Sequence, residues 1–221
     1  NFASAVKELL HPEGTFVFEL PYWLRTLTQG TYDQIYHEHV TYWTIAGAVN
    51  LFAKVGMSVV DAEEVDYHGG SIRVYVKHEG VPSSRVGRMV LEEVQAGLYK
   101  AETYASFRET AKYWRTRFLR LTYEMTNALI CVGAAAKGNT FLNYHRLDAS
   151  RVACVTDSSP QKIGKFTPGA RVPILSDDVL KTFAYPVVVL TSWNLADVLR
   201  PKLLALNPGI TFVNPYDTSN D

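Results

Sequence analysis

Apolar positions recur at helical spacing over residues 3–10, where Ala5, Val6, Leu9 and Leu10 share a face, and His11-Pro12-Glu13-Gly14 breaks the pattern. The β-branched and aromatic run 15–20 (TFVFEL) then predicts a strand. A polar, aromatic-rich stretch reaches Trp43. After it, 45–55 predicts a second helix stopped by Gly56, and 58–62 a second strand. Ile72, Val74 and Val76 alternate with Ser71, Arg73, Tyr75 and Lys77, so Gly69-Gly70 introduces a half-buried strand over 71–77. Tyr104, Phe107, Ala111, Trp114, Phe118 and Leu121 step by threes and fours through a proline-free stretch, predicting one apolar stripe on a long helix. From 128 the pattern becomes strand, glycine turn and helix. Strands are expected over 128–132, 152–156, 186–191 and 210–214, with helices from Gly138 towards Tyr144 and over 195–206. Such alternation predicts an α/β fold with a parallel, doubly wound sheet. The chain divides into a partial α/β unit over 1–84, a helical bridge over 85–126 and a compact α/β domain over 127–221.

Composition narrows the function classes. At 221 residues, 47% hydrophobic and 20% charged, the chain suits a packed globular protein and not a disordered one. Twenty-two basic and 22 acidic residues cancel, which leaves no positive field to draw in a nucleic acid or an anionic membrane surface. No apolar run reaches the roughly 18 residues of a membrane span, and the start lacks a secretory pattern. Cys131 and Cys154 sit in the apolar runs LICVG and RVACV, as small core residues of a cytoplasmic protein would, and not as a disulfide framework or a metal knuckle. The sequence opens on Asn1 and runs straight into a helical pattern, so it is expected to be a piece of a longer protein.

Candidate chemistry gathers first in YDQIYHEHVTY, residues 32–42. Histidine moves protons near neutral pH, and an adjacent carboxylate and phenols could orient it, so His39 or His37 beside Glu38 and Tyr36 is a candidate general base. A solvated loop whose histidines only hydrogen-bond is the competing reading. A metal reading of His37, His39 and His68 is weaker, because residues two apart share a face only in a strand, and no metal site is expected. His68-Gly69-Gly70-Ser71 lets the backbone turn with positive φ and would bring Arg73 near an anion, or is a plain turn into a strand. Gly133 to Gly138 (GAAAKG) opens a helix directly after a strand. It fits G-x-G-x-x-G with Ala135 in the middle position, and Lys137 adds charge to a possible diphosphate cradle. Asp157, 19 residues past Gly138, stands where a ribose-binding acid would. A P-loop is excluded because the lysine precedes the second glycine. Glycines packed only for helix–sheet contact are the alternative. The basic turn 162–169 is a phosphate clamp or a solvated loop, and Ser192-Trp193-Asn194 lies at the carboxyl end of the sheet, where Asn194 equally suits a helix cap.

Five phrases in order, YDQIYHEHVTYW, FAKVGM with VVDAEEVDYHGGSIRVYV, VGAAAKGNTFLNY, VTDSSPQKIGKFTPGARVPI and LTSWNLADVL, resemble the later portion of the SAM-dependent nucleotide-sugar C-methyltransferases. The resemblance implies methyl transfer from S-adenosylmethionine to a carbon next to the ketone of a nucleotide-diphosphate keto-deoxysugar. It also implies a zinc-binding N-terminal region, a middle domain holding SAM and a C-terminal Rossmann-like domain holding the nucleotide sugar. This sequence departs from that plan. It has no cysteine-rich segment and no early strand with a glycine-rich loop, so it corresponds to the end of the SAM domain, the helical bridge and the Rossmann-like domain. The SAM site is expected to lie mostly outside it, and the piece alone is expected to be inactive in methyl transfer. By the same resemblance His39 is similar to the catalytic base, with Glu38 and Tyr36 as its supporting pair. Lys137, Asn143 and His68 would hold diphosphate and sugar by that resemblance, and the reading of the residues themselves adds His37, Arg73, Gly133, Gly138 and Asp157 as substrate-binding candidates. A Rossmann-type nucleotide-sugar or NAD binding module without methyl chemistry, and a scaffold for a partner, remain the other readings.

Overall fold

The computed structural model describes residues 2–216, which fall into two compact units. The first comprises residues up to Gly30 and Val40–Arg108, the second Thr31–His39 and everything from Glu109 on.

In the first unit, α1 (Phe2–Leu9) leads to β1 (Phe16–Pro21), α2 (Trp23–Gln29), α3 (Ile45–Ala53), β2 (Ser58–Val65), β3 (Ser71–Lys77) and α4 (Ser84–Gln95). β3 lies between β1 and β2 and is antiparallel to both. Ile72, Val74 and Val76 are fully buried on its core face, as their alternation predicts, and Phe52, Ile45 and Met89 pack from the helices. Helix α2 lies inside the aromatic-rich stretch, where the sequence shows no helical period, and ends at Gly30 in the left-handed region. Glu93 of α4, wholly buried, accepts from the Tyr22 and Tyr99 hydroxyls and from the Ile45 and Ala46 amides, so a distant carboxylate caps the first turn of α3.

Gly97, at φ 72°, ends the turn after α4 and separates it from α5 (Ala101–Tyr123). Helix α5 starts in the first unit and continues in the second from Glu109. There the expected stripe is buried at Ala111, Trp114 and Phe118.

The second unit adds β4 (Leu129–Val132), α6 (Ala136–His145), β5 (Cys154–Thr156), β6 (Ile174–Leu175), β7 (Val187–Leu190), α7 (Ala196–Leu206) and β8 (Thr211–Val213). Its five strands are all parallel, in the order β6-β5-β4-β7-β8, the doubly wound Rossmann-like arrangement. Leu129 and Cys131 of β4 and Val187 and Val189 of β7 face one apolar layer with Phe118, Phe141 and Leu142. Ile130, Val132, Val188 and Leu190 face the other, with Leu180 and Leu203. Burial on both faces is why these strands are unbroken apolar runs. Both cysteines are buried free thiols, pushed up to about 12 at Cys131 and about 11 at Cys154 chiefly by burial, so they are core residues. No helix among the described residues is long and apolar enough to cross a membrane.

Candidate functional site

Open parallel sheets take ligands at the carboxyl ends of their strands, where the winding changes direction. In the second unit that place lies between β4, which winds through α6 to β5, and β7. Gly133, at φ 103°, makes the turn out of β4, and a Cβ on it would stand 2.5 Å from the Ser192 hydroxyl. A Cβ on Gly138 would stand 2.6 Å from the Gly133 carbonyl and 2.8 Å from the Thr191 hydroxyl. Thr191 in turn donates its one proton between the Val132 and Gly133 carbonyls, at 2.8 and 2.9 Å. Both glycines therefore serve a close approach between the β4 turn and the end of β7. Ala135 occupies the N-cap of α6 and has no oxygen with which to answer the first amides of that helix, an arrangement suited to an anion.

Asp157 ends β5 beside this turn. Its carboxylate accepts from the Ala134 amide at 2.9 Å, the Ser159 amide at 2.8 Å and the Lys162 ammonium at 2.9 Å. Partial burial would raise its pKa, but these donors outweigh it and hold the carboxyl below the usual range. Lys137 is 7% exposed, with its ammonium 3.2 Å from the Asn194 oxygen and 4.7 Å from the centre of the Trp193 ring. Burial draws that ammonium down from the ordinary lysine range and Asp33 partly offsets it. Asn143, two turns along α6, donates to the Pro168 carbonyl at 3.0 Å and lies so close to Gly169 that no side chain fits there.

The segment Thr31–His39 belongs to this unit although it precedes the rest by some seventy residues of chain. One turn of 3-10 helix, Tyr32–Gln34, is wholly buried. The Tyr32 ring packs 4.6 Å from Tyr144 and 5.7 Å from Tyr216, and Asp33 accepts from the Trp193 indole at 2.7 Å. Burial pushes the Asp33 carboxyl up, while Lys137, Trp193 and Tyr216 pull it back. Beyond the turn, the His39 ring lies 3.9 Å from the Tyr36 ring, and its Nδ1 is 2.8 Å from the Gln34 carbonyl. A carbonyl only accepts, so Nδ1 carries a proton, and in the neutral imidazole the lone pair is then on Nε2. Glu38 is exposed, with its carboxylate 4.0 Å from His37 Nε2. The group seen to orient His39 is thus a backbone carbonyl, with Tyr36 against the ring.

Tyr36 and His37 line an open groove of about 470 Å³ together with Asn139, Asn143, Tyr144 and the 168–169 turn. Asn139 and Pro168 also line a smaller cleft at Gly133 and Gly138, so α6 runs along both. Of the residues singled out in the sequence, Tyr36, His37, Gly133, Lys137, Gly138, Asn143 and Asp157 gather on the second unit around α6 and its preceding turn, and His39 rests on Tyr36. His68 and Arg73 belong to the first unit. His68 is exposed in the β2–β3 turn at φ 53° with its ring on Tyr67, and the Arg73 guanidinium is held by Glu19 at 3.0 Å and Glu63 at 3.2 Å. Two carboxylates thus already neutralise Arg73. The sequence marked Ser192-Trp193-Asn194 at the carboxyl end of the sheet, but not the bond from Trp193 to Asp33 nor the packing of Tyr144 on Tyr32. Asp33 lay within the histidine-rich cluster, but its partner stands 160 positions away.

Such an assembly can hold a phosphorylated ligand along α6, with Tyr36 and His37 lining the groove and the His39 ring against Tyr36. The chain is 30% identical to C-methyltransferase NovU of Streptomyces niveus over 221 aligned positions, covering 96% of this chain and 52% of that protein. It spans about half the length of that relative. A family model described as the C-methyltransferase C-terminal domain matches residues 66–215, well over half of the sequence, and the chain belongs to that family.

Proposed function

We propose that this chain is the substrate-binding and proton-abstracting part of an enzyme that moves a methyl group from SAM to a carbon next to the ketone of a nucleotide-diphosphate keto-deoxysugar. The observation that carries the reading is the His39 imidazole, its Nδ1–H given to Gln34 and Nε2 left basic, on the same unit as the groove along α6. A carbon beside a ketone becomes a nucleophile only after losing a proton, and an oriented base is what that step requires. The diphosphate lies at the uncapped N-terminus of α6 near Lys137, and Tyr36, His37 and Asn143 face the sugar end of the groove. Nε2 of His39 takes the α-proton, and Tyr36 holds the ring from below. The likeness to a C-methyltransferase supports the reaction class. The two buried free thiols suit the reducing cytoplasm.

The first unit offers no cradle for SAM among its described residues. Its three strands pair antiparallel, and the one glycine between a strand and a helix there, Gly80 of the β3–α4 connection, is packed against the Val60 side chain, which leaves no room for a Cβ. The strand–glycine turn–helix at the carboxyl end of the parallel sheet is the one given to the diphosphate. The steps assigned to this chain are therefore binding, orientation and removal of the proton.

Proton removal is measurable without a methyl donor. In deuterated buffer, the chain should wash the hydrogen next to the ketone out of a thymidine-diphosphate keto-deoxysugar, read by proton NMR. His39→Ala should slow that exchange by about two to four orders of magnitude, the usual worth of a general base, while the sugar nucleotide still binds. Exchange at the unaltered rate would take the base from His39. Tight binding of NAD with no exchange in the unaltered chain would make it a plain binding module.

A further inference from the structure

An imidazole serves as a base only in the tautomer that leaves the working nitrogen bare, so whatever fixes that tautomer takes part in the reaction. For His39 the fixing group is the Gln34 carbonyl, 2.8 Å from Nδ1. Its direction depends on the single 3-10 turn Tyr32–Gln34, which is too short to hold itself by its own hydrogen bonds. That turn is pinned from outside on both sides. Tyr32 is wedged among Tyr144, Tyr216 and His145. Asp33, 2% exposed, accepts from the indole of Trp193, and Trp193 opens the 3-10 turn that follows β7, just past Thr191 and Ser192, which close against Gly133. Burial pushes the Asp33 carboxyl up, and the Lys137 ammonium, which lies over the same indole, pulls it back.

We infer that Asp33 is a positioning residue for the reaction. Through the Trp193 indole it ties the Tyr32–Gln34 turn to the end of β7, so that the Gln34 carbonyl holds His39 with its proton on Nδ1. The inference rests on reading His39 as the base. It gives the sugar-nucleotide end of the unit a mechanical link to the proton-removing end, because Trp193 contacts both Lys137 and Asp33.

The test reads the tautomer directly, by long-range nitrogen–proton NMR of the histidine-labelled chain. The unaltered chain should show His39 as one species with the proton on Nδ1. Trp193→Phe keeps an aromatic face for Lys137 and removes only the donor. It should bring in the second tautomer and slow exchange from the thymidine-diphosphate keto-deoxysugar at saturation by about tenfold, the size of one lost hydrogen bond to a charged group. Asp33→Ala should do the same, and Asp33→Asn, which keeps an oxygen for the indole, should restore the tautomer. Folding is checked in each by circular dichroism. A single Nδ1–H species with unaltered exchange in Trp193→Phe would overturn the inference. That outcome is separable from failure of the base itself, in which His39→Ala exchanges as fast as the unaltered chain whatever the tautomer does.

Discussion

At the scale of the residue, His145 shows what the second unit demands of an ionisable side chain. It ends α6 2% exposed, with its ring 4.1 Å from Phe141 and 5.0 Å from Phe118, and Nδ1 is 2.9 Å from the Phe141 carbonyl one turn back. Burial pulls its pKa from 6.5 down to about 4, against an upward pull from the Phe141 carbonyl, and the positive Arg115 adds a smaller downward one. The unfolded chain therefore binds a proton between about pH 6.5 and 4 that the folded chain refuses. Stability from this group is fully present above pH 6.5 and drains away as the pH falls through that window, by up to about 3 kcal/mol. Urea denaturation at steps of pH should show the slope, and His145→Gln, which can donate to the same carbonyl without titrating, should flatten it. An equal slope in both proteins would place the acid sensitivity elsewhere.

At the scale of the element, the turn from β4 into α6 is set by contact with β7. Alanine ordinarily gains about 1 kcal/mol over glycine inside a helix. At Gly138 the added methyl would sit 2.6 Å from a backbone oxygen that cannot step aside without opening the turn. Overpacking of this kind costs about 1–3 kcal/mol, so the clash wins. Gly138→Ala should melt several degrees below the unaltered chain, and an equal or higher melting temperature would show that the turn has slack. The alternation of apolar runs and glycine turns made the parallel strands legible from the sequence, since β4 and β7 are buried on both faces. β6, two residues long, is too short to carry any period. Alternation also says nothing of strand direction, which is why the helix–strand order of the first unit conceals an antiparallel sheet. Around the site, the histidine-rich run and the glycine turn were legible, because each is a local pattern. The Asp33–Trp193 bond was not, since nothing local marks a donor 160 positions away.

At the scale of the whole molecule, chain order and contact part company at Thr31–His39. Read along the sequence, the first division falls at 84 and the last begins at 127. By contact, nine residues from the early chain complete a unit whose remainder starts at Glu109. Those nine residues bring Asp33, whose charge offsets that of the buried Lys137, and Tyr32, whose ring fills the space between Tyr144 and Tyr216. Without them the buried Lys137 ammonium loses the group that partly offsets the effect of its burial. A protein comprising only residues 109–216 should therefore be markedly less stable than the same unit within the whole chain. A synthetic peptide of residues 31–39 should raise its melting temperature in a saturable way, as a ligand of the folded state does. The same peptide with Asp33→Ala should raise it far less. Equal rises with the two peptides would mean that the segment is held by its aromatic packing alone, and that Lys137 tolerates burial without Asp33.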